Sequence, residues 1–493
     1  MSQINVSSLT FSYEGSYDEI FKNVSFQIDT DWKLGFCGRN GRGKTTFLKL
    51  LMGEYEYKGT INASVAFEYF PYIVNDKSQN TNDVFKMIAP DIEEWRVLRE
   101  LSKLDVSEDV LDRPFSTLSN GEQTKVLLAG LFLRENSFLL IDEPTNHLDI
   151  EAREIVANYL NQKKGFILVS HDRAFLDDCV GHILSINKAN IEVQKGNFSS
   201  WWHNKQLQDG YELAENEKLE KDIKRLKISA ARTALWSDKV EKSKNQPLSS
   251  GLSPDRGYIG HKAAKMMKRS KSTEKRTNDA IEERSKLLKN IETAENLKIH
   301  SLKYHTSRLL LFENITVAYG DKEVFNDISF SLEDGDRLAI LGKNGSGKSS
   351  ILKLINGESL QYTGNISIGN RLIISYVPQD ASFLTGSLDE YAFIRGIDET
   401  LFKAILRKLD FARIQFEKDM EDYSAGQKKK VLIAASLCEE AHVYIWDEPL
   451  NYIDVLSRMQ IEELIKKYKP TMIFVEHDRA FCDNIATNII SLK

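Results

Sequence analysis

Four short patterns occur twice in this chain, in the same order and at a nearly constant spacing. GRNGRGKT (Gly38–Thr45) returns as GKNGSGKS (Gly342–Ser349) after 304 residues. LSNGEQ (Leu118–Gln123) returns as YSAGQK (Tyr423–Lys428), and LLIDEPTNHLD (Leu139–Asp149) as YIWDEPLNYID (Tyr444–Asp454), both after 305. LVSHDRAF (Leu168–Phe175) returns as FVEHDRAF (Phe474–Phe481) after 306. So constant an offset means duplication of a whole domain, and it is far too long for a solenoid repeat. A chain of 493 residues has room for two such domains and a segment between them.

Within each copy, short apolar runs alternate with helical patterns. KLGFCG, FLLIDE and GFILVSHD read as buried strands of a parallel sheet, and TTFLKLLMG as a helix. The fold class is therefore α/β: two copies of one domain, 1–200 and 306–493, joined by 201–305. That middle segment reads as two long polar helices. Leu219, Ile223, Leu226 and Ala230 form a spaced apolar seam. Pro247, Gly251, Pro254, Gly257 and Gly260 mark a reversal, which makes the segment a helical hairpin with its tip near 245–259.

The repeated patterns carry phosphate chemistry. In G-x-x-x-x-G-K-[ST], glycines let backbone amides turn toward phosphates, and the following helix presents its positive end. Gly38, Asn40, Gly41, Gly43, Lys44, Thr45 and Thr46 form one candidate ATP-binding loop. Gly342, Asn344, Gly345, Gly347, Lys348, Ser349 and Ser350 form the other. Lys44 and Lys348 are expected at the β- and γ-phosphates, and Thr45 and Ser349 at Mg²⁺. Asp142 and Asp447, at the ends of buried strands, are further metal-ligand candidates. Glu143 and Glu448 follow them as candidate general bases for an attacking water. His171 and His477 follow another buried strand and are candidate γ-phosphate sensors. Ser119 and Gly121, like Ser424 and Gly426, open a helix whose N-terminus can hold an anion.

Together these features resemble ATP-binding-cassette ATPases, with the P-loop, the signature, the strand-end acids, Asp149 and Asp454 of the D-loops, and the switch histidine present in both halves. The resemblance implies a head-to-tail sandwich. ATP at Lys44 would meet Ser424 and Gly426, and ATP at Lys348 would meet Ser119 and Gly121. It implies adenine stacking on Tyr13 and Tyr319, and a further Mg²⁺ contact from Gln379. The chain departs from the pattern at Tyr72, which stands where the first half would have the equivalent of Gln379. Asn120 and Ala425 replace a signature glycine, and Arg42 takes a P-loop place usually held by a small residue. These departures leave ATP binding expected at both sites but give no ground for expecting equal turnover.

The net charge is −6, yet Lys221–Arg276 holds 16 basic and 5 acidic residues. Taken alone, a basic segment on an acidic chain is either a solvated helix face or a localised polyanion contact. The longest apolar run, Val126–Leu133, is far short of a membrane span. The start MSQINVSSLTFSY carries no export pattern, and the four cysteines form no C-x-x-C pair. These features predict a cytoplasmic protein that binds no membrane; the cassette resemblance further implies a monomer that pairs its own two halves and binds no DNA.

Two cassettes fused through a basic hairpin resemble the ABC-F family, whose members act on ribosomes. DTDWKLGFCGRNGRGKTT, GFILVSHDRAF, ELAENEK, AAKMMKRSK and YIWDEPLNYID are similar to the Lsa-type group, which protects ribosomes from lincosamides, streptogramin A and pleuromutilins. That likeness implies ATP and Mg²⁺ as cofactors. It implies large-subunit rRNA and P-site tRNA as partners, with the hairpin entering through the E site. Lys262, Lys265, Lys268, Arg269 and Lys271 are candidate rRNA contacts. Pro247, Leu248, Leu252, Tyr258 and Ile259 are candidates for a tip that acts at the drug site. The rival readings are a housekeeping translation factor and the ATPase subunit of a transporter.

Overall fold

The computed structural model describes residues 2–14, 19–90, 92–146, 148–187, 190–242, 261, 265, 268, 271, 272, 275, 276, 299, 301–319 and 322–492. The chain forms two compact units. One comprises Met1–Trp201 with Glu295–Lys493, and the other comprises Trp202–Ala294.

In the first unit each sequence copy builds the same pair of layers. The first copy has a sheet in the order Ala66–Phe70, Ser137–Asp142, Phe166–Val169, Lys33–Cys37, His182–Asn187 and Asn190–Lys195. Its neighbours pair in parallel until the last strand, which is antiparallel. The second copy orders Ile374–Val377, Val443–Asp447, Met472–Val475, Arg337–Gly342 and Asn488–Leu492, all parallel. Each copy adds a small antiparallel sheet, led by Gln3–Phe11 and by Arg308–Tyr319.

The central strands are apolar because helices cover one sheet face and the small antiparallel sheet with the P-loop helix covers the other, leaving no solvent side for polar residues. Phe166–Val169 and Met472–Val475 are buried at every position. Parallel strands place their C-terminal ends along one edge, which is where ligands bind in such sheets. Here that edge carries the turns after Cys37, Asp142 and Val169, and their counterparts after Leu341, Asp447 and Val475.

Below that edge, Phe47 of the helix Lys44–Leu51 packs its ring against Phe21, Phe26 and Phe36 at centroid distances of 6.0, 5.7 and 5.5 Å. The start of this helix requires glycine. Gly43 has φ +94°, and a Cβ there would lie 2.6 Å from Ile20 Cγ2. Gly347, at φ +89°, faces Val324 Cγ1 at 2.5 Å in the same way.

A buried carboxylate ties the helices of the first copy together. Glu100, on the helix Glu94–Lys103, accepts hydrogen bonds from Tyr159 Oη at 2.8 Å and Lys103 Nζ at 2.9 Å, and pairs with Lys163. Burial alone would raise its pKa. The bonds from Lys163, Lys103 and Tyr159 outweigh burial and hold it down to about 2.

The 45-residue helix Phe198–Lys242 begins in the first unit, supplies most of its length to the second and extends about 65 Å. Leu219 and Ile223 of the expected seam are half-buried; the side chains of Leu226 and Ala230 lie outside the described residues. Lys265, Lys268 and Lys271 are helical and exposed. Lys262, Arg269, Pro247, Leu248, Leu252, Tyr258 and Ile259 lie outside the described residues, as do the breakers Gly251, Pro254, Gly257 and Gly260. Among the described residues no helix is long and apolar enough to cross a membrane. All four cysteines are free thiols.

Glu100→Gln is expected to lower unfolding free energy by about 1–3 kcal/mol at neutral pH, since it removes the charge that holds two lysines. A depressed carboxylate stabilises above its unfolded pKa near 4.5, and this contribution is lost as pH falls toward 2. Urea denaturation should therefore separate variant from parent at pH 7 and show the gap closing in acid.

Candidate active sites

Each P-loop lysine curls back under its own loop. Lys44 Nζ donates to Gly38 O at 2.7 Å, Arg39 O at 3.3 Å and Asn40 Oδ1 at 3.2 Å. Lys348 Nζ donates to Gly342 O and Lys343 O, both at 2.9 Å. Both ammonium groups are buried, and burial lowers their pKa against the opposing pull of nearby acids. The loops thus hold a desolvated cation beneath a ring of backbone, an arrangement suited to phosphate.

Thr45 Oγ1 donates to Asp142 Oδ2 at 2.9 Å, and Ser349 hydrogen-bonds Asp447. Burial raises Asp447 to about 6, and its buried Oδ1 has no hydrogen-bond partner among the described residues. Two hydroxyls and two strand-end carboxylates make a hard-oxygen donor set, which fits Mg²⁺. The halves differ here. Tyr69 Oη also donates to Asp142 Oδ2, at 2.9 Å, so this oxygen already accepts two bonds. Sequence analysis missed Tyr69, because an aromatic at the end of an apolar strand reads as core.

Glu143 and Glu448 adopt left-handed backbone, at φ 51° and 46°, directly after their strands. Their amides donate to Val169 O at 2.9 Å and Val475 O at 3.0 Å, the carbonyls that precede the switch turns. Such conformations cost about 1–3 kcal/mol in a non-glycine residue and gather at functional sites. His171 Nε2 stands 3.2 Å from Glu143 Oε1, and His477 Nε2 stands 3.3 Å from Glu448 Oε1.

The surroundings of the two glutamates diverge. Glu448 Oε2 accepts from Gln379 Nε2 and Asn451 Nδ2, each at 2.8 Å. Burial would raise Glu448, but His477, Gln379 and Lys348 hold it down to about 2. The first half has Tyr72 in place of Gln379, and neither oxygen of Glu143 has a well-aligned donor among the described residues. Burial and the adjacent Asp142 push it up to about 8. Burial, with Lys44 and Arg458 nearby, drives His171 well below its ordinary value.

Ser119 and Ser424 cap the signature helices Asn120–Phe132 and Ala425–Cys438 with reciprocal bonds to Glu122 and Gln427. Ser424 and Gly426 share a cavity of about 410 Å³ with Asn40, Gly41, Glu143 and His171, residues of the opposite copy. One carbonyl closes this junction. Tyr452 O accepts from Asn40 Nδ2 at 2.9 Å and lies 2.5 Å from where a Cβ on Gly426 would be, so only glycine fits. At the second site, Lys343 Nζ pairs with Glu151 Oε2 of the other copy at 2.8 Å, and Asp149 acts electrostatically on Lys348. Gly121 packs against Leu148, beside that D-loop.

Arginines bind the copies together. Arg153 Nη1 donates to Asp172 Oδ2 at 2.8 Å and, across the junction, to His477 O at 2.9 Å. Arg173 pairs with Glu462, and Arg479 Nη1 with Glu154 Oε1 at 2.7 Å. Arg153, Glu154, Arg173, Glu462 and Arg479 did not stand out in the sequence. Arg173 and Arg479 fall in the repeated HDRAF, where repetition alone does not say what an arginine reaches. Tyr13 Oη bonds Thr46 Oγ1 at 2.8 Å, and its ring lies edge-on to Phe11 and Tyr55 at the P-loop helix. The side chain of Tyr319 lies outside the described residues.

The ABC transporter family profile matches residues 21–146 and 325–451. Ribosome protection protein VmlR of Bacillus subtilis is 29% identical over 486 residues, spanning 96% of this chain and 84% of that protein. Energy-dependent translational throttle protein EttA of Haemophilus influenzae is 25% identical over 524 residues, spanning 96% and 88%. The chain is an ABC-family ATPase of the ABC-F branch. This ABC-F protein is an ATP-hydrolysing enzyme with two ATP-binding domains. Its fold matches the archaeal ribosome recycling factor aABCE1, solved with stalk protein aP1, at a TM-score of 0.63 and 19% identity, over 98% of this chain and 87% of that one.

Arg153→Ala leaves Asp172 buried without its cation and is expected to cost this ABC-F ATPase about 3–5 kcal/mol of stability. Arg479→Ala removes an exposed pair and should cost less than about 1 kcal/mol. Denaturant unfolding of the two variants side by side checks the ranking.

Proposed function

We propose that this ABC-F ATPase acts on the ribosome. ATP closes its two cassettes, closure sets the basic linker against ribosomal RNA through the E site, and peptidyl-transferase-centre antibiotics are displaced. The observation that carries this reading is the junction at Tyr452 O, where the P-loop, D-loop and signature of opposite copies meet at one carbonyl. A ligand in that cavity with phosphates at Lys44 would be held from both sides.

In this reading Lys44 and Lys348 release their loop carbonyls and bind the β- and γ-phosphates. Thr45, Asp142, Ser349, Asp447 and Gln379 would hold Mg²⁺, which supplies charge neutralisation of the phosphates. Glu143 and Glu448 orient and deprotonate the attacking water, while His171 and His477 contact the γ-phosphate. Ser424 and Gly426 complete the site of Lys44, and Ser119 and Gly121 that of Lys348. Tyr13 and Tyr319 flank adenine. Because Gln379 and Asn451 hold Glu448 while Glu143 lacks equivalent donors, the second site turns over faster.

The similarity to VmlR, whose name states ribosome protection, supports a ribosomal workplace and the drug reading. Exposed Lys265, Lys268 and Lys271 suit rRNA phosphates, with Lys262 and Arg269 beside them in sequence. Pro247, Leu248, Leu252, Tyr258 and Ile259 would form the tip that reaches P-site tRNA and the drug pocket. The protein would work as a cytoplasmic monomer. The likeness to EttA, over the same share of the chain, favours a second reading as a translation factor that needs no drug.

The Glu143→Gln, Glu448→Gln double variant should co-sediment with ribosomes in ATP and lose that binding steeply as salt rises. Absence from the ribosome pellet at low salt, with ATP still bound, would contradict the reading. Growth of a susceptible host on lincomycin and tiamulin separates the two ribosomal roles. Protection that disappears when 247–259 is shortened, with ATPase activity intact, assigns the drug role, whereas no protection favours the translation factor.

A further inference from the structure

The first P-loop carries Arg39 and Arg42 where the second carries Lys343 and Ser346. Both arginines face one acid of the opposite copy. Arg39 Nη1 lies 3.5 Å and Arg42 Nη2 3.9 Å from Asp410 Oδ1. The cluster is sheltered, with side-chain exposures of 20%, 34% and 22% for Arg39, Arg42 and Asp410.

Asp410 stands on the turn that ends the helix Glu399–Lys408, at φ 63°, with its amide donating to Arg407 O at 3.1 Å. Lys430, on the signature helix, fixes that turn. Its Nζ donates to Leu409 O at 2.6 Å and pairs with the D-loop Asp454 at 3.1 Å. Asp410 therefore moves with the signature and D-loop, while Arg39 and Arg42 move with the P-loop. All three segments border the cavity that holds Asn40 and Ser424. Separating the charges requires opening that site. At the second site, Lys343 pairs instead with Glu151, both well exposed at 71% and 60%, and Ser346 adds no charge. An exposed pair contributes little, whereas two guanidiniums within 4 Å of one sheltered carboxylate attract it with less screening by solvent and salt.

We propose that Arg39, Asp410 and Arg42 form a charge latch that prolongs closure of the first ATP site, and that the second site, with Ser346 in place of Arg42, opens sooner. The inference rests on the reading that ATP closes the sandwich. Arg39, Arg42 and Asp410 act as positioning residues: they set dwell time through the alignment of P-loop and signature.

The test uses the full-length Glu143→Gln, Glu448→Gln protein loaded with radiolabelled ATP and Mg²⁺ and chased with unlabelled ATP. Release is expected in two phases, the slower belonging to the first site. Asp410→Asn keeps the left-handed turn, which asparagine tolerates, and removes only the charge. It and Arg42→Ser should each quicken the slow phase by about two- to five-fold and spare the fast one. Arg42→Ser should add nothing in the Asp410→Asn background, a coupling that mere loosening of the fold would not give. About 0.5 M salt should shrink the difference. Two phases unchanged by either variant, or effects that simply multiply, would overturn the latch. Failure of the parent to retain any ATP would instead overturn the sandwich reading, and the latch with it.

Discussion

A backbone carbonyl is the hinge of this architecture. Tyr452 O receives the side-chain amide of Asn40 from the opposite copy and sits against Gly426 with no room for a Cβ. The P-loop, the D-loop and the start of the signature helix are thereby brought to one point. A hydrogen bond of this kind contributes only about 1 kcal/mol, but it fixes geometry that packing alone would leave loose. The neighbouring bond from Arg153 to His477 O extends the same principle to the other switch histidine. In both bonds a side chain of the first half is held by a main-chain carbonyl of the second.

The two sites share a plan and differ in electrostatics. Strain is symmetrical, since both glutamates take left-handed backbone and both amides bond the strand that leads to the switch histidine. Polar support is not. Gln379 and Asn451 stabilise the charge on Glu448, while Glu143 is desolvated beside Asp142 with no comparable donors. Tyr69 loads Asp142 with a second hydrogen bond, whereas one oxygen of Asp447 has no hydrogen-bond partner among the described residues. Duplication supplied one scaffold, and a few substitutions around it changed the chemistry each copy can support.

The fold was legible because burial writes itself into composition. Strands covered on both faces must be continuously apolar, and Phe166–Val169 and Met472–Val475 are. The constant offset between motifs disclosed the duplication without any knowledge of contacts. Tyr72 marked the first site as different, but its consequence at Glu143 needed three dimensions. The contacts between the copies were less legible. Tyr452 contributes a carbonyl, which no side-chain pattern encodes. Arg153, Glu462 and Asp410 look like ordinary surface charges until the opposite copy is placed against them.

The central claim is that each ATP is held by a P-loop from one half and a signature from the other. Counting nucleotides retained by pairwise lesions tests it directly, in the Glu143→Gln, Glu448→Gln background. Lys44→Ala combined with Ser424→Arg damages a single composite site and should leave one ATP bound. Lys44→Ala combined with Ser119→Arg damages both and should leave none. The reverse outcome, one ATP retained by the second pair and none by the first, would mean that each half binds nucleotide by itself.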